Sequence, residues 1–586
     1  MAGSTEADWV SRFADDVIAE SERRAPGAKS SVAGAPVVVV ASGLSPSGPI
    51  HLGNLREVMT PHLVADEIRR RGHQVRHLIS WDDYDRFRKV PAGVPGVDDS
   101  WAEHIGKPLT SVPAPEGSPY PNWAEHFKAQ MTEALAELGV EYDGISQTAQ
   151  YTAGTYREQI LHAMRHRADI DAILARYRTK KAPGGPAKQS QKPVDAAELE
   201  AEEGSGAAEE DDGSGGGAGY YPYKPYCAEC GKDLTTVTAY DDETTELTYT
   251  CACGHGETVR LSEFDRGKLV WKVDWPMRWA YEGVVFEPSG VDHSSPGSSF
   301  QVGGQIVGPI FGGEQPIGPM YAFVGISGMA KMSSSKGGVP TPGDALKIME
   351  PQLLRWLYAR RRPNQSFKIA FDQEIQRLYD EWDALTRKVE DGSALPGDLA
   401  AYRRAAATAA GELPRTPRPL SYRTLASVAD ITAGARAQTL RILSELDPEH
   451  PLTGLDELRP RLDRAVSWTL TQVPAEQRTV VRSSPDAERL GALEDDDRGA
   501  IKLLLEGLDS HWSLDGLTTL VYAVPKVQAG LAPDAKPTPE LKVAQRRFFA
   551  LLYELLVGRD TGPRLPTLLL AVGQDRVREL LGGAAA

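Results

Sequence analysis

The sequence predicts an α/β fold with a parallel sheet, interrupted by a long insertion and followed by an all-α region. Three observations predict it. A continuous β-branched run, Pro36 to Ser42, passes through turn residues into a helical pattern and then a second strand, Val75 to Trp81. All four cysteines crowd into the 27 residues from Cys227 to Cys253. Beyond Pro351 the apolar residues recur at helical spacing with few strand signals.

The first run is uninterrupted by polar residues, as in a strand buried on both faces of a parallel sheet. Gly43-Leu44-Ser45-Pro46-Ser47-Gly48 is turn chemistry. From Gly53 to about Arg71, Leu55, Val58, Met59 and Leu63 lie on one helical face. His51-Leu52-Gly53-Asn54 therefore falls in a strand–loop–helix corner of a βαβ unit. Free N–H groups at the helix start favour an anion such as a triphosphate. In such sheets ligands bind beyond the carboxyl ends of the strands.

A second cluster, Lys331-Met332-Ser333-Ser334-Ser335-Lys336, precedes Gly337-Gly338. Its two lysines suit charge developing on a transferring phosphate, and its glycines and serines allow close approach. No GxxxxGKS/T loop is present, so that route to ATP is not used.

Together these two motifs resemble the HxGH-type and KMSKS signatures of class I aminoacyl-tRNA synthetases. The resemblance is closest to the class I lysyl-tRNA synthetase family. It extends to Ser80-Trp81-Asp82-Asp83-Tyr84-Asp85-Arg86-Phe87-Arg88-Lys89-Val90-Pro91, to Trp271-Lys272-Val273-Asp274-Trp275-Pro276-Met277-Arg278-Trp279, and to Phe286-Glu287-Pro288-Ser289-Gly290-Val291-Asp292-His293. One position departs from the general class I signature, though not from this family, and two depart from the family pattern. Asn54 ends the first signature in place of His, Val291 replaces a Lys, and Ala322 stands where an acid is expected.

The resemblance implies a Rossmann-like class I synthetase catalytic domain with a zinc-containing insertion and an all-α C-terminal anticodon-binding domain. It implies ATP-dependent attachment of L-lysine to tRNA(Lys) through a lysyl-adenylate, releasing AMP and pyrophosphate. His51, Asn54, Lys331 and Lys336 would be catalytic. ATP would also touch Ser47, Gly48, Gly53, Met332, Ser333, Ser334 and Ser335, and Mg²⁺ would accompany it. The lysine pocket would involve Gly43, Ser45, Trp271, His293 and Tyr321. Asp82, Asp83, Asp85 and Asp292 are alternative acceptors for the ammonium groups, or partners of Arg86 or Arg88.

The cysteines follow a CxxC, twenty-residue, CxC pattern: Cys227, Cys230, Cys251 and Cys253. That spacing reads as a structural tetrathiolate Zn²⁺ site. Four thiolates complete a tetrahedron and leave no open catalytic position.

The organisation expected is an N-terminal helical extension over 1–29 and the first half of the catalytic fold over 30–90. A connective insertion follows over 91–261, then the second half with the KMSSSK loop over 262–350, and the helical domain over 351–586. The 586-residue chain carries a net charge of −16. Half of this sits in residues 191–215, nine acids against one Lys, inside an acidic Pro/Gly/Ala/Ser tract (about 180–219) expected to be disordered. The rest is only mildly acidic, and nucleic-acid binding depends on local patches. Arg355, Arg360, Arg361, Arg362 and Lys368 form one candidate patch, and Arg546, Arg547, Phe548 and Phe549 another. No run of 18 apolar residues is present, and residues 1–25 read as an amphipathic helix rather than a signal peptide. A cytoplasmic monomer with no membrane association is expected. A class I synthetase for glutamate is the nearest alternative, which the acids of the 82–85 segment disfavour. A small-molecule adenylyltransferase would not need the long helical region. A non-catalytic tRNA-binding paralogue would not need its signature His and Lys residues.

Overall fold

The computed structural model describes residues 8–25, 37–178, 214–215, 219–294, 297–328, 339–446, 449–536 and 538–584. The second signature, Lys331 to Lys336, and most of the acidic tract lie outside them. The chain forms two units. The first comprises 1–345, 351–370 and 388–413; the second comprises 346–350, 371–387 and 414–586.

The first unit opens with α1 (Trp9–Arg24), capped by the Asp8 carboxylate accepting from Val10 N and Ser11 N. Then come β1 (Val38–Leu44), α2 (Leu55–Arg70) and β2 (Val75–Trp81). After α3 (Trp123–Glu137), β3 (Asp143–Ser146) adds to the sheet. β1 and β2 pair in parallel, with Val38 opposite Val75 and Leu44 opposite Trp81, and β3 pairs in parallel with β2. β1 is β-branched because both of its faces are covered.

On the other side of β1, Val40 bridges Phe286 in parallel, and Phe286 bridges Ile317 in parallel. The spatial order is therefore β3, β2, β1, the Phe286 segment, the Ile317 segment. Strand order reverses between β1 and Phe286, so the crevice beyond their carboxyl ends is a topological switch point. Behind the sheet lie α4 (Trp271–Glu282) and α5 (Ser299–Phe311). Val39, Ala41, Leu78, Trp275, Trp279, Phe300 and Val307 form the core between them. Later, β7 (Val324–Ser327) pairs in parallel with β8 (Phe367–Ala370), with α6 (Pro351–Ala359) between them in sequence. The insertion folds an antiparallel ribbon, β4 (Thr235–Tyr240), β5 (Glu246–Cys251) and β6 (Gly256–Arg260).

The second unit is helical. It includes α7 (Glu374–Glu390, as far as Arg387), α8 (Tyr422–Thr432), α9 (Arg461–Gln472), α10 (Asp495–Gly507), α11 (Leu514–Gln528) and α12 (Pro539–Val557). Ile501, Leu504, Val521, Phe548, Leu552 and Leu555 share one core. Val543, which periodicity places on that face, is 64% exposed. Among the described residues no helix is long and apolar enough to cross a membrane.

Candidate active site

The HxGN turn is where the sequence places it. Leu52–Asn54 forms a single 3-10 turn leading into α2, and no side chain caps the Asn54 end of that helix. The Leu55 N–H is taken by carbonyls of that turn, and the positive end of α2 beyond it suits an anionic ligand. Ser47 and Gly48 are braced from behind: the buried Trp123 indole donates to Ser47 O at 3.0 Å, and a Cβ on Gly48 would stand 3.3 Å from Pro91 Cγ. Gly53 lies close to β7, where an added Cβ would sit 3.7 Å from Val324 O. Leu52 N donates to Pro340 O at 2.8 Å, and His51 Nδ1 lies 3.4 Å from Val339 O. Residues on the far side of the second signature are thus fastened to the first.

The carboxyl ends of β1 and the Phe286 segment surround the other half of the site. Glu57, one helical turn beyond Asn54, reaches Gly43. Its Oε1 accepts from Gly43 N at 3.3 Å and its Oε2 from the Tyr321 hydroxyl at 3.2 Å. A Cβ on Gly43 would lie 3.7 Å from both Glu57 Oε1 and Asp82 Oδ2, so these two carboxylates flank the same glycine. Glu287, on the neighbouring segment, accepts from the Trp275 and Trp279 indoles at 3.0 and 2.7 Å. Those rings continue a ladder with Trp271, which stacks on Trp275 at 5.1 Å, and His293 meets Trp275 edge-on. Tyr321 and Trp271 are half-buried and Ser45 is exposed, as accessible pocket walls would be.

Charge is unbalanced here. Burial pushes Glu57 up to about 8, reinforced by the charge of Glu287. Burial raises Glu287 to about 7 despite its two indole donors. Burial also raises Asp82 to about 6, outweighing Arg278. Arg278 is shared: it donates to Asp82 at 2.8 Å, to Asp274 at 2.5 Å and to Ser80, and lies over Trp271. Lys268 pairs with Asp85 and, although burial acts the other way, holds that carboxyl below its usual range. Three acids with raised proton affinity around one crevice mark a place suited to a cationic ligand.

The four acids named from the sequence separate. Asp82 borders the crevice. Asp85 is committed to Lys268. Asp292 lies in the helical turn Val291–Ser294. Asp83 is fully buried and accepts from Lys128, from Ser146 Oγ at 2.6 Å and from Thr148 N at 2.7 Å. Its work is to join β2, α3 and β3. Asp83→Ala should therefore cost about 3 kcal/mol of stability, because Ser146 Oγ and Thr148 N lose their acceptor and buried Lys128 is left with Glu125, while the lysine KM of the folded fraction stays unchanged. Urea unfolding beside amino-acid titration checks this. Sequence reasoning missed Glu57 and Glu287. The signal for Glu57 was its place three residues after Asn54, in the helix the signature begins. Of the basic patch, Arg355 is fully buried, donating to Leu138 O, Arg404 O and His62. Arg361, Arg362 and Lys368 remain exposed. In the second unit, Arg547 pairs with Glu494 and Asp497, and Phe548 is core.

The cysteines converge. Their sulfurs all lie within 4.8 Å of one another, with Cys227–Cys253 at 3.7 Å and Cys230–Cys251 at 3.6 Å. Four bonds of about 2.3 Å to a tetrahedral Zn²⁺ require sulfur separations of about 3.8 Å. Gly231 and Gly254, at φ +70° and +96°, turn the chain back in each knuckle, a conformation glycine adopts freely.

A parallel sheet with its switch-point crevice, and an HxGN turn at a helix start, define a nucleotide-binding fold of the class I synthetase type. The family model described as tRNA synthetases class I (K) matches residues 7–407. A lysine--tRNA ligase of Streptomyces coelicolor is 80% identical over 99% of each chain. One from Pyrococcus horikoshii is 31% identical, covering 97% of this chain and 98% of that protein. Another, from Treponema pallidum, is 32% identical over 92% of this chain and 94% of its own. The chain belongs to the family tRNA synthetases class I (K).

Proposed function

We propose that this protein is a lysine--tRNA ligase: it activates L-lysine with ATP and transfers it to tRNA(Lys), releasing AMP and pyrophosphate. Among the features of the site, the acid-rich crevice carries the reading. A glutamate-specific pocket needs an available cation, but Arg278 and Lys268 already serve Asp82, Asp274 and Asp85. That disfavours the glutamate alternative on chemical grounds, and the full-length relatives support lysine.

The lysine carboxylate attacks the α-phosphate of ATP with departure of pyrophosphate, and the 2′-hydroxyl of the terminal tRNA adenosine then attacks the adenylate carbonyl with departure of AMP; Mg²⁺ would accompany the ATP. The protein contributes position and charge rather than covalent chemistry. His51, Asn54 and the start of α2 hold phosphate oxygens, beside Ser47, Gly48 and Gly53. Lys331 and Lys336, with the Met332–Ser335 backbone, meet the departing pyrophosphate. Gly43 lets the substrate approach β1, and Ser45 offers a hydroxyl. Trp271 and Tyr321 wall the methylene stem, with His293 at its edge. Glu57, beside Asp82, receives an ammonium group. The four cysteines would hold Zn²⁺ in a closed site that braces the ribbon. Reactants of this kind support a cytoplasmic location.

Charging unfractionated tRNA with each of the twenty amino acids in turn tests the reading. Lysine alone is expected to be attached. Attachment of glutamate would keep the ATP site and overturn the pocket, and no attachment by folded protein would point to the non-catalytic paralogue.

A further inference from the structure

Arg56 is a buried cation with no anionic partner among the described residues. It lies two residues beyond Asn54, in the first turn of α2, and is 2% exposed. Its Nη1 donates to Ala322 O at 3.0 Å and to Gln365 O at 2.8 Å, and its Nη2 to Arg362 O at 2.6 Å. The guanidinium carbon stands 5.2 Å over the Phe367 ring. No carboxylate pairs with it among the described residues, and burial draws its pKa down to about 10.

These contacts join three pieces of the site. Ala322 immediately follows Tyr321, the residue that reaches Glu57, and lies two positions before β7. β7 runs toward the second signature. Arg362 and Gln365 lead into β8, the partner of β7, where Phe367 sits opposite Val324. The far side of that signature is already fastened by Leu52 and His51 to Pro340 and Val339. Arg56 fastens the near side to the same turn.

A neutral side chain could pack here without removing a charge from water, which is the costly part of this arrangement. Carbonyl dipoles solvate the charge but do not cancel it. It therefore adds to the positive end of α2, where phosphate oxygens are to be held.

We propose that Arg56 is a positioning residue for ATP, setting the HxGN turn against the strand that leads to the second signature and supplying unneutralised positive charge behind it. This rests on the reading of His51 and Asn54 as phosphate-holding groups.

The test is lysine-dependent ATP–pyrophosphate exchange by Arg56→Gln and Arg56→Lys, beside His51→Ala. Lysine affinity without ATP is measured by calorimetry on the same proteins. For Arg56→Gln, kcat/KM for ATP is expected to fall at least tenfold while the lysine Kd stays within about twofold. Arg56→Lys, which keeps the charge but not the forked contacts, should recover part of the loss. An unchanged kcat/KM for ATP would overturn the proposal. So would a lysine Kd weakened by the same factor, which would mark a purely structural role. If Arg56→Gln does not fold, Arg56→Lys decides by the same two comparisons. If His51→Ala leaves exchange intact, the ATP-site reading itself has failed, an outcome separable from the behaviour of Arg56.

Discussion

Glu57→Gln is expected to raise the KM for lysine by roughly two orders of magnitude, since truncating one side of a buried, hydrogen-bonded charge pair costs about 2–5 kcal/mol. The substitution is nearly isosteric. The amide oxygen can still accept from Gly43 N or the Tyr321 hydroxyl, the two contacts the carboxylate makes. Fold and ATP affinity should therefore persist, and the loss should appear in lysine affinity. Steady-state exchange with ATP and lysine varied separately resolves the two. A lysine KM within threefold of the parent would remove Glu57 from the pocket and leave Asp82 as the acceptor.

The same carboxylate predicts a pH dependence. Burial raises Glu57 to about 8, so below that pH the unliganded site holds a proton. An ammonium group needs the ionised form, and binding must release the proton. Lysine affinity should thus strengthen as pH rises toward 8, by up to about tenfold per pH unit, and then level off. The sign follows from the raised pKa; a carboxyl of ordinary pKa would leave affinity flat above pH 6. Burial also raises Asp82, to about 6, and Glu287, to about 7, extending the slope to the acid side. In Glu57→Gln the limb nearest pH 8 should vanish. Calorimetric lysine binding from pH 6 to 8.5, in buffers of different ionisation heat, reads both affinity and proton release.

The sheet and the strand–loop–helix corner at His51 were legible because local chemistry determines them. A β-branched run, a Gly/Pro/Ser turn and a helical face need no distant partner to be read. β1 is observed at Val38–Leu44, two residues later than the run suggests, because pairing with β2 continues through Gly43 and Leu44. The cysteine knuckles were legible for the same reason. Sorting the acids at 82, 83 and 85 was not possible from sequence. Their fates depend on Lys128, Arg278 and Lys268, which lie 45, 196 and 183 residues away along the chain. Glu57 was hidden differently. An acid in the first turn of a helix ordinarily complements the helix dipole and attracts no further notice. Only the parallel pairing that brings Gly43 and Tyr321 to it reveals another use. Arg355 erred the other way: an arginine in a basic run reads as a surface charge, but three backbone and side-chain acceptors bury it.

Removing zinc should disable lysine activation as well as transfer to tRNA, and the reason is packing. Cys227 and Cys251 belong to one apolar cluster with Tyr84, Tyr151, Tyr226, Leu247 and Tyr249. Tyr226, beside the first knuckle, donates its hydroxyl to Tyr84 O at 2.5 Å and packs at a tilt against the Tyr84 ring, centroids 5.1 Å apart. Tyr84 sits between Asp83 and Asp85, in the segment that carries Asp82. Tyr151, in the same cluster, donates to Asp274, a partner of Arg278. Loosening the knuckles therefore releases the wall that holds Asp82 and Arg278. Zinc contributes about 10–16 kcal/mol to folding in isolated finger peptides; a ribbon that already packs on a core should lose less. Cys251→Ser, at a buried ligand position, is expected to lower bound zinc from one per chain, to lower the melting temperature, and to reduce lysine-dependent exchange at least tenfold. Metal analysis, calorimetry and exchange on one preparation measure all three. If exchange survives zinc loss while tRNA charging fails, the ribbon serves the tRNA alone and the Tyr226–Tyr84 contact does not transmit its order to the lysine site.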